Sequence, residues 1–169
     1  FLAENQDMMK AQGLTYAAVL TTYASVLRDA IPSYAALVSS RLVPEIAERS
    51  YSIASCAEVV GKNQVDLIVV RETWTTCDGV LRGGLCSSFI CELASNTLVH
   101  AQVDESTSLS VDDKSKDIVM IGFGTGIAPL RAFCQWYYAC RRRGEKTGNI
   151  ILYFGARTSS NENMYGFEL

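Results

Sequence analysis

The order of features between residues 117 and 154 restricts the fold more than any other part of the chain. An apolar run at 118–121 is followed by the glycine-rich turn Gly-Phe-Gly-Thr-Gly at 122–126, and a second apolar run begins at Ile150. The residues between the turn and the second run, 129–143, have the pattern of a helix that ends near a glycine. Apolar strands that alternate with a helix are typical of a parallel sheet with a right-handed connection. We therefore expect an α/β unit here.

The turn at 122–126 is a candidate anion site. Its amides open a helix, where backbone N–H groups and the helix dipole favour phosphate, and Thr125 adds a hydroxyl. The pattern is shorter than the full dinucleotide fingerprint, so a purely structural tight turn is the alternative. Arg157 follows the second strand, where nucleotide-binding folds distinguish a ribose hydroxyl from a 2′-phosphate. A cation there favours the phosphate, with a solvated loop arginine as the alternative.

Two earlier segments suggest a second phosphorylated ligand. In the strand-like stretch at 49–55, Arg49 and Tyr51 share one face, so a guanidinium and an aromatic ring are placed together, and Ser52 points the other way. Such a set suits a pyrophosphate, a flat ring system and a ring nitrogen. The residues Gly83 and Gly84 form a second glycine turn, which opens a helix predicted over 87–93.

These three motifs, in this order, resemble the ferredoxin-NADP reductase family and, within it, the diflavin reductases. That branch includes cytochrome reductases, the sulfite reductase flavoprotein and the reductase module of pyruvate:NADP oxidoreductase. The Arg-x-Tyr-Ser motif matches the FAD motif of the family, and the turn from Gly84 to Ser87 matches its FAD pyrophosphate loop. "GFGTGIAPLRAF" matches its NADPH loop, with Phe123 in place of the usual proline. The resemblance covers nearly the whole chain.

The resemblance implies a set of cofactor-binding residues. It places Ser52 near flavin N5 as the candidate catalytic residue and Tyr51 as the stacking platform. Trp74 either stacks on the FAD adenine or is a half-buried strand aromatic. The implied FAD-binding residues are Arg49, Tyr51, Ser52, Ile68, Val69, Val70, Trp74, Gly84, Leu85, Cys86 and Ser87, and the implied NADP-binding residues are Gly124, Thr125, Gly126 and Arg157.

Three regions follow from the pattern of the chain and the resemblance. Two amphipathic helices predicted over 14–28 and 33–42 belong to residues 1–47, the end of a helical connecting region. Alternating segments at 49–55, 65–74 and 97–103 predict antiparallel strands of an FAD-binding β-barrel over 48–112. Residues 117–169 are the first part of an α/β NADP-binding domain. We expect the chain to be part of a longer protein, truncated at both ends.

The implied function is an NADPH-dependent FAD flavoprotein reductase module. It passes electrons between NADPH and an FMN-binding flavodoxin-like domain or an iron-sulfur partner, whose FMN or cluster lies elsewhere in the parent protein. One alternative is a single-flavin ferredoxin-NADP reductase. Another is a non-catalytic structural remnant of the fold, suggested by Phe123.

Composition restricts the remaining classes of function. With 15 basic and 18 acidic residues the net charge is −3, so no nucleic-acid surface is expected. No apolar run has the roughly 18 residues needed for a membrane span. The six cysteines are interpreted as reduced thiols with no metal site, since Cys86-x4-Cys91 lacks the cysteine that would continue a cluster motif. We expect a cytoplasmic protein, with the mitochondrion as the alternative compartment.

Overall fold

A computed structural model describes residues 6–12, 15–22, 24–27, 33–39, 46–104, 109–156 and 165 of the chain. Residue contacts divide it into two compact units, the first made of Phe1–Arg49 and Arg71–Phe89 and the second of Ser50–Val70 and Ile90–Leu169. The helices are α1 (Gln6–Ala11), α2 (Tyr16–Thr22), α3 (Ala24–Leu27), α4 (Tyr34–Ser39), α5 (Ala57–Val60), α6 (Leu85–Glu92) and α7 (Ile127–Arg142). The strands are β1 (Thr73–Thr75), β2 (Leu81–Gly83), β3 (Ile118–Phe123) and β4 (Ile150–Gly155), and a 3-10 turn covers Gly124–Gly126.

The second unit contains the predicted strand, glycine turn, helix and strand. Strands β3 and β4 pair in parallel, with Ile118 opposite Ile150 and Phe123 opposite Gly155. Parallel strands need a crossover connection, and the 3-10 turn with α7 supplies it. The α/β arrangement expected from residues 117–154 is therefore observed, and its helix begins two residues earlier than predicted.

Helix α7 covers one face of this small sheet. Met120 of β3 packs against Phe133 and Tyr137, and the ring centroids of Phe133 and Tyr137 lie 5.2 Å apart. Tyr137 is only 1% exposed, and its hydroxyl donates a hydrogen bond to the Lys114 carbonyl over 2.8 Å. This packing fixes the direction in which α7 leaves the glycine turn.

The first unit contains short helices and one hairpin. Thr15 caps α2, because the Ala18 amide donates to its hydroxyl over 3.1 Å, and Ser33 caps α4 through the Ala36 amide in the same way. The predicted helix over 14–28 is observed as α2 and α3, with residue 23 outside the described residues. Strands β1 and β2 pair antiparallel.

The predicted barrel strands form fewer ladders than expected. An antiparallel bridge joins Ile53 to Leu67, β1 covers Thr73–Thr75, and residues 97–103 form no strand. A strand is defined by its partner, and short pairs without a third strand are only marginally stable. The closed barrel and the three predicted domain boundaries therefore stay predictions.

A cluster of charged side chains lies at the C-terminal end of α7. Lys114 and Arg143 both contact the Glu145 carboxylate, and Arg143 also pairs with Glu58. The hydrogen bond from Lys114, followed by that from Arg143, lowers the pKa of Glu145 to about 2. The cluster links the loop before β3 to α5 and α7.

Glu145→Gln is expected to reduce the loss of stability in acid. Because the folded pKa of Glu145 lies below its ordinary value of 4.5, its contribution is present above about pH 4.5 and is lost as the pH falls toward 2. Urea unfolding midpoints at pH 7 and pH 3 measure this difference, with the exposed Asp112→Asn as a control of equal charge change. A pH dependence unchanged by Glu145→Gln would show that the cluster contributes nothing.

Candidate functional site

A pocket of about 290 Å³ lies within the second unit and brings together three distant segments of the chain. Residues near 51, near 69 and at the glycine turn all contribute to it. Its volume is close to the lower end of the range found for small-ligand sites. The lining residues are Ser50, Tyr51, Ser52, Ile68, Val70, Thr125 and Ala128.

Five of the residues predicted to bind cofactors therefore line one cavity. Tyr51, Ser52, Ile68 and Val70 come from the predicted FAD set, and Thr125 comes from the predicted NADP set. Tyr51 is half-buried, whereas the Ser52 side chain is exposed to the pocket. A planar heterocycle with a polar edge can stack on an aromatic ring and form a hydrogen bond with a hydroxyl beside it.

Backbone hydrogen bonds hold the segment that carries Tyr51 and Ser52. The Ala54 amide donates to the Asp66 carbonyl over 2.8 Å, and the Asp66 amide donates to the Ser55 hydroxyl over 2.8 Å. Ala54 and Ser55 are both buried. Residues 50–52 are thus anchored to the segment that continues into Ile68 and Val70.

The outer two of the residues 68–70 line the pocket, although the structure assigns no strand to this stretch. Ile68 and Val70 point into the pocket, and Val69 does not. The Val69 carbonyl instead lies 4.0 Å from the Cys91 thiol, in the geometry of a weak hydrogen bond. The resemblance implies that the backbone of residues 68–70 borders the flavin, and this contact stays a prediction.

The glycine turn and the helix that follows it contribute Thr125 and Ala128 to the lining of the pocket. Gly124 has a φ of +49°, in the left-handed region where a side chain is strained, and the turn leads directly into the 16-residue helix α7. Thr125 is exposed at the apex, and Ala128 in the first turn of α7 is buried and also lines the pocket. Free amides at a helix N-terminus favour an anion at this turn.

Gly124→Ala is expected to lower the stability of the turn by about 1–2 kcal/mol, the usual cost of a left-handed conformation for an L-residue. Gly126→Ala is the matched control, because Gly126 has φ −62° and no atom lies within 4 Å of the position of an added Cβ. Thermal unfolding compares the two variants. Equal melting temperatures would contradict the assigned role of the positive φ.

The FAD pyrophosphate loop predicted from the sequence lies in the first unit. A Cβ on Gly84 would lie 2.6 Å from the Ser87 Oγ and 3.2 Å from the Glu72 Cβ, so the turn needs a glycine here. Gly83 is equally crowded, with an added Cβ 2.6 Å from the Ser88 Oγ. Leu85 and Cys86 form the first turn of α6 behind these glycines. The chain is thus tightly folded at the place where the resemblance puts a pyrophosphate.

Ser87 holds this turn together. It is buried, donates to the Gly84 carbonyl over 3.3 Å and accepts from the Glu72 amide over 3.2 Å. Because a hydroxyl has one proton, this bonding commits the Ser87 donor within the protein. We therefore interpret the Ser87 side chain as bracing the loop. The Gly84 amide is also used within the protein, since it donates to the Glu72 carbonyl over 2.8 Å.

Two groups beside the loop were missed by the sequence analysis. Within the residues that the structure describes, the Nε of Arg82 and the Oγ of Ser88 are buried and have no hydrogen-bond partner. A buried polar atom without a partner is unusual, and a bound group is one explanation for it. The signal that could have identified them is their position in the sequence, because Arg82 directly precedes Gly83 and Ser88 is four residues after Gly84. The turn at Gly83 and Gly84 and these two donors without described partners fit an anionic nucleotide.

Of the other predicted residues, Arg49 and Trp74 are among the described residues and Arg157 is not. Arg49 is exposed and donates to the Ala47 and Glu48 carbonyls over 2.8 and 3.2 Å. Trp74 is half-buried on β1 opposite Arg82 of β2. Arg157 lies outside the described residues, so its predicted contact with a 2′-phosphate stays a prediction.

The thiols and the described helices carry no separate site. All six cysteines are free, and burial raises the pKa of the Cys134 and Cys140 thiols, which makes them poor nucleophiles at neutral pH. Among the described side chains, no group of three His, Cys, Asp or Glu residues is placed to hold a metal ion. Over the same ranges, no helix is both long and apolar enough to cross a bilayer.

Comparison with known proteins gives several relatives that are more than 30% identical to the chain. The chain is 36% identical over 150 residues to the probable sulfite reductase [NADPH] flavoprotein component of Schizosaccharomyces pombe, an alignment that covers 87% of the chain and 15% of that protein. It is 34% identical to the mitochondrial pyruvate dehydrogenase [NADP(+)] of Euglena gracilis, over 76% of the chain and 7% of that protein. It is 31% identical to the NADPH–cytochrome P450 reductase of Bos taurus, over 76% of the chain and 20% of that protein.

The chain thus spans a fifth or less of the length of these three relatives. No protein-family model matches it. A further relative, from Cryptococcus neoformans, is named as an NADPH-dependent diflavin oxidoreductase and is 34% identical over 75% of the chain. The resemblance read from the three motifs is confirmed by these relatives, and the chain belongs to the diflavin reductase family.

Proposed function

We propose that this chain is the cofactor junction of an NADPH-dependent FAD flavoprotein reductase module. The observation that carries the proposal is one pocket lined by Tyr51, Ser52 and Thr125. Hydride transfer between a nicotinamide and a flavin requires the two rings to be held close and in a fixed orientation. A cavity lined both by residues of the FAD motif and by Thr125 of the glycine turn supports this proposal.

Each wall of the pocket has a separate role in this proposal. Tyr51 offers its ring face to the flavin, and Ser52 donates a hydrogen bond to the edge of the flavin near N5. The apolar side chains of Ile68 and Val70 exclude water from the ring system. FAD, when bound, supplies the two-electron acceptor. Thr125 and the amides of Gly124 and Gly126 hold the nicotinamide nucleotide.

The glycine turn of the first unit is proposed to bind the FAD pyrophosphate. Gly84, Leu85, Cys86 and Ser87 form the loop that receives the pyrophosphate, and Arg49 adds a positive charge. Trp74 stacks on the adenine. The antiparallel strands around these residues belong to the FAD-binding barrel, and residues 117–169 begin the NADP-binding domain.

NADPH is proposed as the nucleotide in preference to NADH. The names of the Schizosaccharomyces pombe and Bos taurus relatives specify NADPH, and that of the Euglena gracilis relative specifies NADP(+). Arg157, next to the end of β4, is the residue proposed to contact the 2′-phosphate. An FMN-binding flavodoxin-like domain or an iron-sulfur protein is the proposed electron partner. The cytoplasm is the proposed compartment, and the mitochondrion named for the Euglena gracilis relative is the alternative.

An anaerobic titration of the full-length protein tests this function. Visible flavin absorbance is followed while NADPH, and separately NADH, is added. We expect bleaching by NADPH at a much lower concentration than by NADH. Bound flavin that responds to neither nucleotide, or the absence of flavin, would favour a structural remnant. Release and quantification of the flavins separates the remaining alternative, since a single-flavin reductase contains FAD without FMN.

A further inference from the structure

A buried arginine of α7, Arg131, lies close to the residues that line the pocket. Its side chain is only 10% exposed. Its Nη1 donates to the Ala54 carbonyl over 2.6 Å and lies 3.1 Å from Oδ2 of Asp66. Its guanidinium also lies over the ring of Tyr165, with 4.5 Å between the guanidinium carbon and the ring centroid. The three contacts come from three separate segments of the second unit.

These contacts lie immediately beside the residues that line the pocket. Ala54 is two residues after Ser52, Asp66 is two residues before Ile68, and Arg131 is three residues after Ala128. Two residues along an extended strand span about 7 Å, and three residues along a helix span about 4.5 Å. Arg131 therefore connects the segments that carry Ser52 and Ile68 to the helix that begins after the glycine turn.

Arginine is chemically suited to this position. A buried charge is costly unless it is paired and its donors are used, and Nη1 of Arg131 donates to the Ala54 carbonyl and to the Asp66 carboxylate at the same time. The Gln135 side chain, one turn further along α7, accepts a hydrogen bond from the Cys56 amide over 2.8 Å and fixes the same pair of segments. Helix α7 cannot slide along residues 54–56 without breaking the hydrogen bonds of Arg131 and Gln135 to this segment.

We propose that Arg131 is a positioning residue that sets the separation between Ser52 and Thr125 across the pocket. It touches neither cofactor in this proposal, which depends on the function proposed above. Its contribution is to hold the glycine turn at the distance and angle that hydride transfer needs. A displacement of about 1 Å at a reacting centre can reduce a rate by about 100-fold.

The test uses the full-length, FAD-loaded protein with three variants: Arg131→Gln, Arg131→Lys and Asp66→Asn. Stopped-flow absorbance gives the rate of flavin reduction by NADPH, and NADPH deuterated at the transferred hydrogen gives the isotope effect. For Arg131→Gln we expect FAD to stay bound, flavin reduction to slow about 10–100-fold and the isotope effect to rise, because an ill-aligned chemical step becomes rate-limiting. Arg131→Lys, which keeps the charge, is expected to recover part of the rate.

Arg143→Gln is the matched control. It removes an arginine at the other end of α7, together with its pairs to Glu58 and Glu145, and is expected to leave the rate and the isotope effect unchanged. If Arg131→Gln does not fold, Asp66→Asn decides the question with the same two measurements. A reduction rate within twofold of the wild type, with an unchanged isotope effect, would overturn the proposal.

A second readout needs no cofactor. Hydrogen exchange of the Ala54 and Asp66 amides in FAD-free protein is expected to accelerate in Arg131→Gln and not in Arg143→Gln, because both amides lie in the segment that Arg131 holds. Unchanged exchange would also count against the proposal. A wild-type protein that binds no flavin would instead defeat the proposed function, so the two failures are distinguishable.

Discussion

Arg49→Gln is expected to weaken FAD binding about 10–100-fold. The Arg49 guanidinium is exposed and bonds only to nearby backbone carbonyls among the described residues, so no described carboxylate competes with a pyrophosphate for it. A charge-assisted hydrogen bond contributes about 1.5–3 kcal/mol, which corresponds to this range of affinity. The measurement is the dissociation constant of FAD from the stripped full-length protein, followed by flavin fluorescence.

Adding Ser87→Ala is expected to remove stoichiometric flavin altogether. Ser87 braces the glycine turn through Gly84 and Glu72, so its loss releases the loop at the other end of the proposed pyrophosphate site. Arg142→Gln is a suitable control, because it removes an exposed arginine that lies near only the Tyr138 ring in the described contacts. A double variant that purifies with one FAD per chain would contradict the FAD assignment of both residues.

Ser52→Ala is expected to slow flavin reduction about 10–100-fold while FAD stays bound. The Ser52 hydroxyl faces the pocket, and none of the described hydrogen bonds uses it. A donor aimed at the position where charge develops in a transition state contributes more to the rate than to ground-state binding. Single-turnover reduction by NADPH measures the rate, and flavin content after gel filtration measures retention.

Ser110→Ala serves as the control for that measurement, since Ser110 is exposed and does not line the pocket. It is expected to match the wild type in rate and flavin content. If Ser52→Ala reduces its flavin as fast as the wild type, Ser52 has no part in the mechanism. If it loses FAD instead, Ser52 contributes to ground-state binding and is not the proposed donor.

Local patterns were sufficient for the α/β part of the second unit. Ile118 to Phe123, the glycine turn and α7 depend on neighbours in sequence: an apolar run, a positive φ at Gly124 and an amphipathic period. The caps Thr15 and Ser33 were readable for the same reason, because a cap bonds to an amide three residues away. The motif order also indicated the family, which the relatives confirm.

The ladders between distant strands were less predictable. Alternation at 65–74 and 97–103 predicted strands, but alternation reports only which side chains share a face, and a ladder also needs a partner at the right register. The described residues pair Ile53 with Leu67 and β1 with β2. Ile68 and Val70 line the pocket and Val69 does not, a detail that the prediction for 68–70 as a block did not contain.

The direction of hydroxyl groups at the FAD loop also required three dimensions. Ser87 and Ser88 are adjacent in sequence and equally suited to a phosphate by residue type. On α6 they point about 100° apart, so Ser87 reaches Glu72 and Gly84 while Ser88 is left without a partner among the described atoms. Residue type alone cannot distinguish the two.

The sequence by itself determined the family, the two glycine turns and the local elements around them, because each depends on residues within a few positions of one another. Only the tertiary structure decided that residues 50–52 and Thr125 of the glycine turn line one pocket and that Arg131 connects α7 to Ala54 and Asp66. The hydrogen bond from Arg131 to Ala54 spans 77 residues, and its pair with Asp66 spans 65. Contacts at such separations are created by packing and leave no period or spacing in the sequence.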